Sequence, residues 1–277
     1  MEPSAIRMTV ASLNIRGVPV TGSRLAARCQ AIAAEFDASE ADVVCLQEVL
    51  TYYHLRLLSK GLPSFRHVLF RRSALGPAGG VVTFSRLPAA GVRYQRFPRT
   101  LPAGVPPRAG VTALLKGMLV TELACGARVV NVHPVANSDG DWSPGNRFGR
   151  LQRQQLRAIS RLLRGLSGDF PVIACGDFNV ARDSDLWREF VSACGLADAF
   201  AGQCPPTFRA EYLAPGQVPR CIDFILVSDG ITVTDPRVIL DGKHNLPGGE
   251  GHLSDHVGLS ARLRADPGVG ATRPRRD

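Results

Sequence analysis

Apolar residues recur along this chain in two periods, and the elements they predict alternate. Ile6 to Leu13 reads as a strand that ends in Asn14, with Gly17 as a breaker behind it. Residues 23 to 36 carry Leu25, Cys29, Ile32, Ala33 and Phe36 at helical spacing, which predicts a helix packed on that strand. Asp42 to Glu48 predicts a buried strand terminating in Glu48, and residues 51 to 60 a second helix. From Phe65 to Val132 the pattern changes. Gly79-Gly80, Pro88, Pro98, Pro102 and Pro106-Pro107 separate short β runs, Val81 to Phe84, Val111 to Leu115 and Met118 to Leu123, so antiparallel hairpins are expected there. Arg128 to Val132 predicts a further strand, ending in His133-Pro134. A polar, glycine-rich loop containing Trp142, Asn137 to Gly145, then precedes an amphipathic helix over Arg147 to Leu166.

The stretch around which the chain is organised follows. Pro171 to Asn179 predicts a short buried strand, Val172 to Cys175, that delivers Asp177 and Asn179 at its carboxyl end. Strand side chains alternate faces, so Asp177 and Asn179 point the same way and can reach one ligand, while Gly176 lets that ligand come close. A helix is expected over Asp183 to Cys194, a long loop over Ala201 to Arg220, and a strand over Ile222 to Val227 with Asp223 near its start. The last strand, Val257 to Leu263, is preceded by Ser254-Asp255-His256. Residues 265 to 277 are rich in Gly, Pro and Arg and are expected to be a disordered basic tail; residues 1 to 264 are expected to form one domain.

Charge changes this picture more than composition does. Net charge is +9, but between Glu48 and Glu122 there are eleven Lys and Arg and no acidic residue. An anionic substrate or surface is the natural partner of such a stretch. The seven cysteines are odd in number, lack paired metal spacing and sit mostly in apolar runs, which argues against a disulfide framework and for a reducing compartment. No signal-peptide pattern is apparent, and no apolar run is long enough to span a bilayer. A cytoplasmic protein with no obligatory protein partner is expected.

Polar groups at predicted strand ends form the candidate site: Asn14, Glu48, His133, Asp177, Asn179, Asp223, Asp255 and His256. A hard divalent cation wants a few oxygen ligands, with water and phosphate supplying the rest. Glu48 is the best single ligand among them. Two histidines with separate carboxylates nearby suit acid and base work.

Asn14, Gln47-Glu48, Gly176-Asp177-Phe178-Asn179, Ile222-Asp223-Phe224-Ile225-Leu226 and Ser254-Asp255-His256, in that order, resemble the motifs of the endonuclease/exonuclease/phosphatase superfamily of divalent-metal phosphoesterases. The resemblance runs from about residue 8 to 263. It implies an α/β fold, a four-layered sandwich of two mixed sheets flanked by helices, with the site at one end. It also implies Mg²⁺, or Mn²⁺, held by Glu48 with Asn14 beside it and Asp255 at the metal edge. Asp177 would align or activate the attacking water, Asn179 would hydrogen-bond the scissile phosphate, Asp223 would hold His256 as general base or as stabiliser of the developing phosphorane charge, and His133 would be the second histidine. Lys116-Gly117 and Val130-Asn131-Val132-His133 are similar to neutral sphingomyelinase-like members and related bacterial phosphodiesterases. Lys116 and Asn137 join Asn179 and His133 as expected substrate contacts. The implied function is hydrolysis of a phosphate mono- or diester of a small molecule or lipid headgroup; the alternative is a DNA or RNA nuclease on the same fold.

Overall fold

The computed structural model describes residues 5–18, 23–143, 145–168 and 170–265. The expected tail lies outside them, apart from Ala265, which ends a strand. In chain order the elements are β1 (Ile6–Asn14), α1 (Leu25–Asp37), β2 (Val43–Gln47), α2 (Tyr52–Gly61), β3 (His67–Leu69), β4 (Val82–Ser85), β5 (Ala89–Arg96), α3 (Pro107–Leu115), β6 (Gly117–Leu123) and β7 (Arg128–Val132). They continue with α4 (Gly149–Leu166), β8 (Val172–Asp177), α5 (Asp185–Cys194), β9 (Leu196–Asp198), β10 (Asp223–Ser228), β11 (Ile231–Ile239), β12 (Lys243–Leu246), β13 (Gly249–His252) and β14 (Gly258–Ala265).

Two mixed six-stranded sheets, ordered β11-β14-β1-β2-β4-β3 and β5-β6-β7-β8-β10-β9, form the sandwich, and β12 and β13 make a separate hairpin. Each sheet contains one parallel pair, β1 with β2 and β7 with β8, flanked by antiparallel neighbours. A parallel pair requires a crossover, and α1 and α4 lie in the two connections. Both pairs therefore end their strands together, with Asn14 opposite Gln47 in one sheet and Val132 opposite Gly176 in the other. The polar residues that follow those ends share one edge of the sandwich. This is why residues far apart in sequence can build one site.

The larger core joins Val10, Val43 and Cys45 of the first sheet to Val120, Val130, Ala174 and Ile225 of the second, and extends to α4 and α5. There Trp187 stacks on Phe224 at 3.6 Å, with Phe178 edge-on to both. A second core packs Ile32, Phe36 and Leu58 of α1 and α2 on the outer face of the first sheet. Between the sheets, beneath the site, lies a polar bridge. Gln47 donates from Nε2 to Asn131 Oδ1 at 2.9 Å, and Asn131 donates to the carbonyls of Leu46 and Val82 at 3.1 and 3.0 Å.

One expected element is different in kind. Val111 to Leu115 is the end of α3 and not a strand. Pro107 occupies the first turn, where its fixed φ and missing N–H suit a helix, and Gly110 and Ala113 are buried three residues apart. The edge strands β5 and β11, with Pro236 and a register shift inside β11, carry no apolar run that announces them.

Candidate active site

Two of the site's side chains hang on strained backbone. Glu48 has φ 63° and Asn179 φ 54°, left-handed values that cost a non-glycine residue on the order of 1–2 kcal/mol. Surrounding contacts enforce both. A Cβ on Gly17 would sit 1.8 Å from the Glu48 carbonyl oxygen, so only glycine lets the loop after β1 pass that close. Asn179 is tethered by its carbonyl, which accepts from Gln152 Nε2 at 2.7 Å and Trp142 Nε1 at 3.1 Å. Gly176, with φ 141°, sits so close to the Val132 carbonyl oxygen that a Cβ would come within 2.1 Å of it.

Asp177 is the hub. Its Oδ2 accepts from Asn14 Nδ2 at 3.0 Å and from Asn179 Nδ2 at 3.1 Å, and its Oδ1 accepts from the Asn179 backbone N–H at 2.8 Å. His133 Nε2 stands 3.6 Å from the same Oδ2, and His256 Nε2 3.8 Å. Asn14 also donates to Glu48 Oε1 at 3.3 Å, so one amide bridges the two carboxylates. The Asn14 oxygen accepts from the Arg16 N–H at 3.0 Å. Asp223, opposite Asp177 across β10 and β8, holds His256 Nδ1 at 2.8 Å, and its own N–H is fixed by Thr207 Oγ1 at 3.0 Å.

The two histidines are held in opposite states. Burial drives the His133 imidazole well below its ordinary range, and the positive charges of Lys116 and His256 add to this, so it is neutral. Burial also opposes charge on His256, but Asp223 and Asp177 outweigh it and raise its pKa to about 10. Burial and the Asp223 charge push Asp177 up to about 7, against the pull of His256 and Lys116. Lys116, buried with Nζ donating to the Pro134 carbonyl at 2.8 Å, is lowered to about 8, chiefly by burial.

These groups line a cleft of about 1220 Å³ shared by Asn14, Glu48, Lys116, His133, Asp177, Asn179, Asp255 and His256. Asp255, at its edge, pairs with Arg16 at 3.5 Å. Asn137 is placed differently. Its amide donates to the Asp141 carbonyl at 2.7 Å and its oxygen accepts from the Asp139 N–H, which closes the loop before α4 outside the cleft lining. Sequence reasoning passed over Thr207, which carries no local signal, and Gln152. The latter had one: a buried glutamine on the apolar stripe of α4, beside Leu151, Leu156 and Ile159.

Asp177, Asp223 and His256 offer three ligand atoms within 4.8 Å of one another. The hydrogen bond between His256 and Asp223 at 2.8 Å occupies the space between two of them, so this cluster fits a proton relay better than an ion. Glu48 and Asp177, two carboxylates held by one amide at the cleft, offer the hard oxygen donors a divalent cation prefers.

The model of the Endonuclease/Exonuclease/phosphatase family matches residues 11–256. The chain belongs to that family. Its members are phosphoester hydrolases that depend on divalent metals, and this chain is a phosphoester hydrolase by membership. No curated protein matches the sequence significantly. Among solved structures, sphingomyelinase C from Streptomyces griseocarneus is similar with a TM-score of 0.71 at 20% identity, over 93% of this chain and 99% of that one. The beta toxin of Staphylococcus aureus with bound magnesium ions gives 0.72 at 15% identity, covering 92% and 99%. TDP2 from D. rerio complexed with a single strand DNA product gives 0.69 at 18% identity, covering 93% and 98%. The shared property is the fold. No helix among the described residues is long and apolar enough to cross a membrane.

Proposed function

We propose that the chain is a Mg²⁺-dependent phosphoesterase that cleaves a small-molecule or lipid-headgroup phosphate ester by attack of water on phosphorus. The observation that carries this is the convergence on Asp177 of Asn14, Asn179, His133 and His256 in a cleft that Glu48 also lines. In this reading Glu48 would hold the metal, with Asp255 contributing beside it, and Asn14 fixes Glu48 and Asp177 relative to each other. A bound ion would supply charge neutralisation at a phosphate oxygen.

The protein's own groups do the rest. Asp177, held by Asn14 and Asn179 at the cleft, orients the attacking water and takes its proton. His256, kept cationic by Asp223, stabilises the charge that develops on phosphorus oxygens. Neutral His133 donates a hydrogen bond to those oxygens, Asn179 does so by giving up its 3.2 Å bond to the Pro134 carbonyl, and Lys116 adds positive charge from the cleft wall. Asn137 acts through its loop, which carries Ser138 and Arg147 to the cleft.

The test is Glu48→Ala. We expect Mg²⁺-dependent turnover of a chromogenic phosphodiester to fall at least about 10²-fold with the circular dichroism spectrum retained. An unchanged rate removes Glu48 from the mechanism. The basic stretch and the DNA-bound structural neighbour support a second reading, a nuclease. Nicking of supercoiled plasmid, run beside phospholipid headgroup release, separates the two.

A further inference from the structure

The helix α3 is inside out. It buries Gly110 and Ala113 and turns Val111, Leu114 and Leu115 to water, 63%, 37% and 66% exposed. At spacings of three and four residues these three share one face, an apolar stripe with no partner among the described residues. Leu75, 80% exposed, lines the same cleft as Leu115, the end of that stripe.

Leu75 is not left outside by a slack loop. The Ser73 N–H and hydroxyl both donate to the Gly76 carbonyl, at 3.0 and 2.8 Å, and Tyr52 Oη donates to the Ser73 carbonyl at 2.8 Å. The Tyr52 N–H in turn donates to the Leu75 carbonyl at 3.3 Å. A braced turn that holds a leucine into solvent loses the burial that side chain would otherwise gain, so another apolar phase is the natural cover.

Charge selects the occupant. Arg71 and Arg72 flank the turn, Arg96 and Arg108 line the same cleft, and Arg99 lies between them in sequence. Among the described residues none of the five is within ion-pair distance of a carboxylate. Exposed aliphatic side chains beside unpaired arginines are complementary to an anionic bilayer, with carbon chains below and phosphates at the level of the guanidinium groups. A nucleic acid would want aromatic platforms for its bases, and this surface offers Leu and Val instead. A second copy of the chain would bring the same unpaired arginines against each other.

We propose that α3 and the 73–76 turn dock this protein on anionic lipid bilayers, so that the cleft opens onto phosphate esters in the headgroup layer. The inference names where the substrate of the proposed phosphoesterase is met. Its test is independent of turnover, because binding is read in EDTA.

Cosedimentation with phosphatidylcholine vesicles and with vesicles that also contain phosphatidylglycerol measures it. The full chain should bind the anionic vesicles, and at least about tenfold more weakly the neutral ones. The double variant Leu75→Asp, Val111→Asp should lose about tenfold or more in affinity for the anionic vesicles, with its thermal melting unchanged. Should that pair melt early, Leu75→Ser with Val111→Ser must show the same loss. No binding to either vesicle, equal binding by folded variant and parent, or vesicle binding abolished by a single-stranded oligonucleotide that the variants still bind, would overturn the proposal.

Discussion

Residue by residue, the site separates groups of the same chemical type by their neighbours. His133 and His256 approach the same Asp177 oxygen within 3.6 and 3.8 Å, yet one is neutral and the other cationic, because only His256 has a second carboxylate on its far nitrogen. The stability consequence has a definite sign. In metal-free protein the His256 pKa is about 10, against 6.5 for an ordinary histidine. The contribution of its pairing with Asp223 is therefore fully present below about pH 6.5 and is lost as pH rises through about 10. Urea unfolding in EDTA should show the wild type's advantage over Asp223→Asn shrinking from pH 6 to pH 10, with the His256 ring nitrogens titrating late by NMR. An advantage that grows over that range, or a ring that titrates near its ordinary value, would contradict this assignment. Left-handed backbone at Glu48 and Asn179 fits the same picture, since strain of that kind persists where surrounding contacts over-determine it.

At the scale of elements, the parallel pairs set the site's position and the polar bridge beneath it sets the spacing of the sheets. Asn131 receives a hydrogen bond from Gln47 and gives two to β2 and β4 carbonyl groups, all out of water. Asn131→Leu removes all three while leaving their partners buried. We expect it to cost about 2–4 kcal/mol in the midpoint of denaturant unfolding, whereas a loss below ~0.5 kcal/mol would mean that water replaces the bridge. Elements with strong local pattern were legible in the sequence: β1, β2, β7, β8 and β10 are short apolar runs, and α1, α4 and α5 have the helical period. What sequence reasoning misread has a common physical cause. α3 presents its large apolar residues to water and its small ones to the protein, so a rule that equates apolar with buried reads it as a strand. β5 and β11 are sheet edges whose burial alternates weakly, and their pairing is decided by partners distant in the chain.

For the whole molecule, the ordered polar motifs at strand ends were enough to anticipate the family and the four-layered sandwich, because the topology carries the carboxyl ends of β1, β2, β7 and β8 and the amino ends of β10 and β14 to one edge. Contacts made between distant loops were not legible. Thr207 reaches Asp223 from a loop sixteen residues away, and Asn137, whose side chain turns into its own loop, looks from sequence like a cleft residue. The charge distribution, in contrast, is a property of the sequence that survives folding: the acid-free stretch from Glu48 to Glu122 supplies Arg96, Arg108 and Lys116 to the cleft. Its two parts should respond differently to salt. Exposed arginines act across water, where the screening length is about 10 Å at 0.1 M salt, while the buried Lys116 is shielded from ions. With Mg²⁺ saturating, kcat/KM for an anionic phosphodiester should fall several-fold between about 20 mM and about 500 mM NaCl, through KM and not kcat. The variant Arg71→Gln, Arg72→Gln, Arg108→Gln should start lower and show a flatter slope, and Lys116→Met should lose activity by a factor that salt does not change. Parallel salt profiles for the arginine variant and the parent would mean that the basic stretch does not steer substrate to this cleft.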